Sequence, residues 1–380
     1  MRRAGDKVLF AAEGYSRVSV QTPFEQHENN FDFIRLALSI LVIFSHSYPL
    51  GTGSELVEPF NVMTRHQATG GRIAVDLFFI ISGFLITASY ERSSSVASYM
   101  KKRVFRIYPA FVVAMLLSLL FALPVGGGHP VGAGALSRGF DFLLQTARVQ
   151  EFHYVDAFAG NPYPGALNGS VWSIQYEFWC YIGVVLLGLS GVLRSNHVLV
   201  GLFCGSIAVS ILFAVLKWTP GGRFLGIVFG YPPFWARLLP MYLAGIVFYR
   251  LRAHLSLKRS WIAVACGLMV AAAILPYGWT LLFPVAGAFL VLAFAFHPAI
   301  RLHGWSRFGD FSYGTYLYAF PVQQLIMHLI GHPVSPWSLF ALASSTTLVC
   351  AFISWHAIEK WFLRSAHRAM PKPLSVRAAI

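Results

Sequence analysis

The sequence predicts an all-α polytopic membrane protein of about ten transmembrane helices, with the N- and C-termini in the cytoplasm. Of its 380 residues, 56% are hydrophobic and only 12% are charged, which is too few charges for a soluble protein of this length. Apolar residues recur along nearly the whole chain in segments of about 20, the number that crosses a bilayer as a helix. Basic residues concentrate in alternate connections between these segments, as the topology of a membrane protein requires.

The apolar segments divide the chain into one membrane domain with two polar ends. The domain covers 31–362, between a cytoplasmic segment 1–30 and a cytoplasmic tail 363–380. A long Gly- and Pro-rich outer loop, 124–170, interrupts it, and loops of this length are usually functional or disordered. The segment 222–233 is open to two interpretations, a re-entrant or an interfacial piece. The ten predicted spans are 31–50, 73–91, 104–123, 171–190, 197–216, 234–251, 261–276, 278–297, 309–330 and 337–359.

The net charge of +14 is better explained by membrane topology than by a nucleic-acid partner, which is not expected. With a cytoplasmic N-terminus, 22 of the 29 Lys and Arg residues fall on the cytoplasmic side, as the positive-inside rule requires. The first 30 residues lack a long apolar core, which argues against a cleavable signal peptide. The four cysteines lie inside apolar segments, at spacings that indicate neither a metal site nor a disulfide framework.

The first span, FDFIRLALSILVIFSHSYPL, contains ionisable residues that are costly in lipid. Arg35 and His46 are eleven residues apart, about three turns plus 20°, so they share one helix face with an axial separation of about 16 Å. Asp32, one turn before Arg35, is placed to pair with it. Such residues are functional hypotheses by default, although an interfacial arginine and a hydrogen-bonded histidine would produce the same pattern.

Two more carboxylates lie within the predicted spans. Asp76 is near the outer end of the second span and is a candidate for orienting a histidine. Glu177 lies about one turn inside the fourth span, among aromatic residues that by themselves would indicate an interfacial belt. Close helix packing explains Gly83 in the second span, but it does not explain either carboxylate.

Two arginines stand one turn apart where the third span leaves the cytoplasm, in KKRVFRIYP. Arg103 and Arg106 share a helix face, where they could bind the phosphates of a cytoplasmic ligand through bidentate contacts. Positive-inside anchoring is the competing explanation, and it accounts for Lys101 and Lys102.

Six segments, in this order, resemble the membrane-bound acyltransferase 3 family, which is typified by bacterial O-acetyltransferases of surface polysaccharides. Any one of them is weak, but six in order are specific, and together they cover nearly the whole chain. They are FDFIRLALSILVIFSHS, GRIAVDLFFIISGFLIT, KKRVFRIYPAF, VWSIQYEFWCY, GDFSYGTYLYAFPV and SWHAIEKWF.

The resemblance implies a ten-helix enzyme of the plasma (inner) membrane that takes an acyl group, acetyl being expected, from cytoplasmic acyl-CoA. It implies delivery to a hydroxyl of an exported or cell-surface carbohydrate or glycolipid, with no metal and an undefined oligomeric state. The implied site residues are His46, Arg35, Asp76 and Glu177 as catalytic or cavity-lining groups, and Arg103 and Arg106 as ligands of the CoA phosphates.

Histidine suits acyl transfer from a thioester to an alcohol because its pKa lies near neutrality. His46 is expected to act either as a general base or as a transient acyl carrier. One departure from the family is Ala319, at a position where members often carry a histidine; either that histidine is dispensable, or the acceptor or mechanism differs here. The alternative function is a transporter or flippase of a glycolipid or lipid intermediate, which also needs polar residues in the membrane.

Overall fold

The protein is described here by a computed structural model covering residues 29–125, 143–150, 157–217 and 228–368. Within these ranges, ten helices of 16 to 22 residues overlap the ten predicted spans. They are α1 (Phe31–Thr52), α2 (Gly70–Glu91), α3 (Val96–Leu117), α4 (Trp172–Leu189), α5 (Asn196–Leu216), α6 (Pro232–Leu251), α7 (Arg259–Ile274), α8 (Gly278–Phe296), α9 (Ser312–Ile330) and α10 (Pro336–Ser354). Short helices cover Pro59–Met63 and Lys360–Arg368, and a π-helical turn, Trp355–Glu359, follows α10.

Some predictions fall outside the described residues. They are most of the N-terminal segment 1–30, the parts 126–142 and 151–156 of the outer loop, the part 222–227 of segment 222–233, and the tail after residue 368.

Six helices in the described part of the chain are long and apolar enough to cross a membrane. They are Phe31–Thr52, Gly70–Glu91, Val96–Leu120, Asn196–Leu216, Gly278–Phe296 and Pro336–Ala366. The all-helical, multi-pass membrane class is therefore confirmed, whereas the count of ten spans and the location of the termini stay predictions. Helix α7 is apolar but short, and α4, α6 and α9 contain polar side chains such as Glu177, Arg237 and Gln323.

The start of α3 differs from the predicted boundary at residue 104. The helix begins at Val96, because the Ser95 hydroxyl accepts a hydrogen bond from the backbone N–H of Ser98 at 3.1 Å and so caps the first turn. Hydropathy misses this turn because it is polar. Because α3 already begins at Val96, Arg103 and Arg106 lie within a continuous helix, with their side chains facing other helices.

Helix α2 is the most enclosed element, packing against α1, α4, α6 and α8. Its closest approach is to α6, where Gly83 meets Gly245. A Cβ at Gly83 would collide with the carbonyl oxygen of Tyr242, and a Cβ at Gly245 would collide with that of Ile80. The predicted role of Gly83 in close helix packing is confirmed.

Replacing Gly83 by Ala should destabilise the fold by about 1–3 kcal/mol, because the backbones of α2 and α6 must separate to admit the methyl group. The matched control is Gly201→Ala on the exposed face of α5, where an added Cβ meets no atom within 4 Å. Thermal unfolding in detergent should show a lower midpoint for Gly83→Ala and an unchanged or higher one for Gly201→Ala. Equal midpoints would refute the tight α2–α6 crossing.

The described end of the loop predicted over 124–170, residues 157–170, is held against α9. The side-chain N–H of Asn161 donates to Gln324 Oε1 at 2.8 Å, and that of Asn168 donates to the carbonyl oxygen of Leu317 at 2.9 Å. These bonds fix the entry into α4 and hold this segment beside Phe320, which packs against His46.

Candidate active site

A cavity of about 150 Å³ lies between α1, α2, α3, α4 and α9. Four of the six residues that the sequence implies for the site line this cavity together. They are Arg35, Arg103, Arg106 and Glu177. The α2–α4 contact is made inside it, where Glu177 accepts hydrogen bonds from Ser82 Oγ at 3.0 Å and from Tyr181 Oη at 2.7 Å.

Two of the lining residues, Arg35 and Arg106, belong to an ion-pair network centred on Asp310, which was not predicted from the sequence. Asp310 Oδ2 lies 3.0 Å from Arg35 Nη2 and 2.6 Å from Arg106 Nη2. Its other oxygen accepts from the hydroxyl and the backbone N–H of Ser312 at the start of α9. Arg35 also pairs with Asp32, which confirms the pairing predicted from their spacing.

Arg106 has a second carboxylate partner in Glu359, 3.7 Å away and buried. Glu359 in turn accepts a hydrogen bond from Ser354 Oγ at 2.9 Å, which ties the end of α10 to the network. Two carboxylates therefore neutralise Arg106, so its geometry favours a structural contact over the phosphate contact predicted for it. Asp310 and Glu359 both occur inside the six motifs that carry the family resemblance. Their negative charge was the signal in the sequence that could have identified them as partners of the arginines.

Arg103 differs from Arg35 and Arg106 in its partners. Its guanidinium lies over the rings of Tyr99 and Tyr181, 5.9 and 5.8 Å from their centroids, and it donates to Ser89 Oγ at 3.3 Å. Among the described residues, no carboxylate comes within ion-pair distance of it. Arg103 is thus a cation of the cavity wall that is available to an anionic ligand.

Asp76 lies elsewhere than expected, and its predicted place in the cavity or beside a histidine is corrected. It is fully buried and pairs with Arg237 of α6, 2.9 Å from Nη2. Trp279 Nε1 donates to its other oxygen at 3.4 Å, and Arg72 Nε lies 4.0 Å away. A buried carboxylate needs a cation and hydrogen bonds, and α6 and α8 supply them.

His46 lies near the opposite end of α1 from Arg35. Its ring packs edge-on against Phe320, with 5.5 Å between centroids, and its Nδ1 is buried without a hydrogen-bond partner among the described residues. On α9 the cavity lining reaches Tyr316, four residues before Phe320. His46 therefore lies about one helical turn, or ~6 Å, beyond the cavity lining.

A further buried carboxylate, Glu58, lies close to His46 and was missed from the sequence. Its two oxygens accept from the backbone N–H groups of Asn61 at 2.6 Å and Gly70 at 3.0 Å, so it caps two helices at once. Its side chain also bonds Ser45, the neighbour of His46. Burial raises the pKa of Glu58, against the effect of these hydrogen bonds. No periodic pattern in the short connection 53–58 indicates this role.

The position of Ala319 is an apolar contact between three helices. Ala319 is buried against Ile43 of α1 and Ala343 of α10. One turn further along α9, Gln323 donates to the carbonyl oxygen of Ile43 and to Ser47 Oγ, both at 2.9 Å. A glutamine thus supplies the polar contact between α9 and the His46 end of α1.

The profile of the Acyl_transf_3 family, described as an acyltransferase domain, matches residues 28–356, most of the chain. The chain belongs to this acyltransferase family. The match includes α1 to α10 entirely, and with them every residue of the cavity described above. The resemblance inferred from six short motifs is confirmed.

Individual relatives are similar over most of this chain. The O-acetyl transferase of Shigella phage Sf6 is 29% identical over 368 residues, 91% of this chain and 98% of its own length. Nodulation protein 10 of Rhizobium leguminosarum bv. viciae is 29% identical over 374 residues, 92% and 97% of the two chains. A proposed peptidoglycan O-acetyltransferase of Bacillus subtilis (strain 168), YrhL, is 25% identical over 337 residues, 79% of this chain and 52% of YrhL. No solved structure matches.

The family and these relatives confirm the prediction of an O-acyltransferase enzyme.

Proposed function

We propose that this acyltransferase moves an acyl group, acetyl in the simplest case, from cytoplasmic acyl-CoA to a hydroxyl of an exported or cell-surface carbohydrate or glycolipid. The observation that carries the proposal is the arrangement along α1. Arg35 lines the cavity beside the carboxylate-free Arg103, and His46 lies about 16 Å further along the same helix. The names of the phage and Bacillus relatives support O-acetylation as the reaction.

We assign the CoA phosphates to Arg103. A guanidinium binds phosphate oxygens in a planar, bidentate geometry, and Lys102 adds positive charge along the same helix. Arg35 and Arg106 instead hold Asp310 and so position the cavity wall. The thioester end of the donor would then extend past Glu177 and Tyr316 toward His46.

His46 can perform the transfer by two balanced routes. As a general base, it takes the proton of the acceptor hydroxyl while the oxygen attacks the thioester carbonyl; the C–S bond breaks and the proton passes to the CoA thiolate. As a nucleophile, its nitrogen attacks the thioester and expels the CoA thiolate, which takes a proton from the acylated imidazole. The acceptor hydroxyl then attacks the acyl carbonyl, the C–N bond breaks and the hydroxyl proton passes to the imidazole. The second route moves the acyl group along the bundle without moving CoA.

Replacing Arg103 by Gln should raise the KM for acetyl-CoA about tenfold, the value of one charge-assisted phosphate contact, with kcat changed little. Transfer of radiolabelled acetyl groups to glycans in membranes measures both constants. The matched control is Lys101→Gln, an exposed residue of the same helix, which should leave KM within about twofold of the wild-type value. An unchanged KM for Arg103→Gln would remove Arg103 from the donor site.

The reaction itself is tested by mass spectrometry of glycans from wild-type and deletion cells, which reports the acyl mass and the acceptor together. Loss of one acyl group from a surface glycan in the deletion strain is the expected result. Purified protein that leaves the acetyl-CoA thioester intact with an acceptor present, while moving a glycolipid across vesicles, would instead identify a transporter. We place the enzyme in the plasma (inner) membrane with both termini cytoplasmic, because 22 of the 29 basic residues then face inward.

A further inference from the structure

A second cavity, of about 320 Å³, lies between α2, α5, α6 and α8. It occupies the end of the bundle at which His46 lies, since Arg72 is in the first turn of α2, Trp279 is in the first turn of α8 and Lys217 follows α5. The proposed acyl transfer uses none of its lining residues.

The charge of this cavity is strongly positive. Arg72, Lys217 and Arg237 line it, and the buried Asp76 beneath them neutralises only one of the three cations. Arg237 uses Nε and Nη2 for Asp76 and for the carbonyl oxygen of Arg72, which leaves Nη1 without a hydrogen bond to any described residue. Arg72 Nε is buried and makes no hydrogen bond within the described part of the chain. Unsatisfied donors beside an excess of positive charge indicate an anionic ligand.

The rest of the cavity is lined mostly by apolar residues of α5, α6 and α8. Phe213 lies one turn before Lys217 on α5, and Met241 lies one turn after Arg237 on α6, so both are deeper along the helices than the cations. Helix α5 is peripheral, because only 22% of its most apolar 18-residue stretch is buried. A ligand held here therefore has an anionic group at the helix ends and an apolar chain alongside α5.

We propose that this cavity binds the phosphate group of a membrane lipid, in the leaflet on the His46 side. Arg72, Arg237 and Lys217 contact the phosphate oxygens, and the lipid chain lies against Phe213 and Met241. Lipid binding at this site is separate from acyl transfer, so it is tested by measuring lipid affinity and not enzymatic activity.

The test uses the purified full-length chain in neutral detergent, titrated by native mass spectrometry with dioleoyl phosphatidic acid, dioleoylglycerol and inorganic phosphate in separate arms. Phosphatidic acid should bind at least about tenfold more tightly than either of the others, because only it offers both charge and chains. Lys217→Gln, at an exposed position, should weaken phosphatidic acid about fivefold without changing the thermal midpoint. Lys217→Arg should retain binding.

The matched control is Arg65→Gln, which removes an exposed cation at the same end of the molecule but outside the cavity. It should leave the affinity unchanged. Equal losses for Arg65→Gln and Lys217→Gln would show attraction by overall charge and overturn the site. Inorganic phosphate binding as tightly as phosphatidic acid would overturn the lipid assignment, and binding of dioleoylglycerol as tightly would overturn the phosphate assignment.

Discussion

His46→Ala should lower the rate of acyl transfer by about 10²- to 10⁴-fold, the usual contribution of a positioned acid–base or nucleophilic group. The variant should remain folded, because removing the imidazole loses an edge contact with Phe320 but breaks no hydrogen bond of Nδ1 to a described residue. The measurement is transfer of radiolabelled acetyl groups from acetyl-CoA to membrane glycans, with thermal unfolding in detergent as the test of folding.

The matched control is His328→Gln on α9, a half-buried histidine that packs against Phe158 and does not line the cavity. Its activity should stay within about twofold of wild type. Full acylation by His46→Ala would remove His46 from the reaction.

The same protein separates the two routes of transfer. Incubation with labelled acetyl-CoA and no acceptor should label His46 if it carries the acyl group, and the label should be lost in His46→Ala but kept in His328→Gln. An unlabelled wild-type protein that still transfers acetyl groups when acceptor is added would establish the general-base route.

Asp310→Asn should destabilise the protein by about 3 kcal/mol, because a neutral amide replaces the carboxylate shared by Arg35 and Arg106 in a largely buried network, and each arginine then keeps only one carboxylate partner. Asp310 is only 14% exposed, and it joins α1, α3 and the start of α9. A lower midpoint of thermal or chemical unfolding in detergent is the expected result.

The matched control is Glu91→Gln, which breaks the ion pair with Arg250 at 2.9 Å. That pair is more exposed, at 33% for the Glu91 side chain, and should contribute about 1 kcal/mol or less. Combining Asp310→Asn with Arg35→Gln removes one of the two cations that lost a carboxylate partner and should recover part of the lost stability. Equal effects of Asp310→Asn and Glu91→Gln would contradict a buried network.

Local properties of the chain were enough to predict its class, the segments that form its ten long helices and its family. The Asp32–Arg35 pair and the packing role of Gly83 were also predictable, because each depends on spacing or residue size within one helix. The start of α3 was missed, because a serine cap extends that helix into a polar turn that hydropathy ignores.

The partners of the buried charges could not be predicted in this way. Asp76 pairs with a residue 161 positions away, and Arg106 pairs with one 204 positions away. Because of these pairings, Asp76 lies outside the cavity, and Arg103 is the arginine of the cavity wall with no carboxylate within ion-pair distance among the described residues.

The sequence by itself thus determined that this is a helical membrane acyltransferase with Arg35 and His46 on one face of its first helix. Only the tertiary structure decided which charges meet, because helix formation depends on neighbours within one or two turns, whereas the partner of a buried charge depends on which helices pack together.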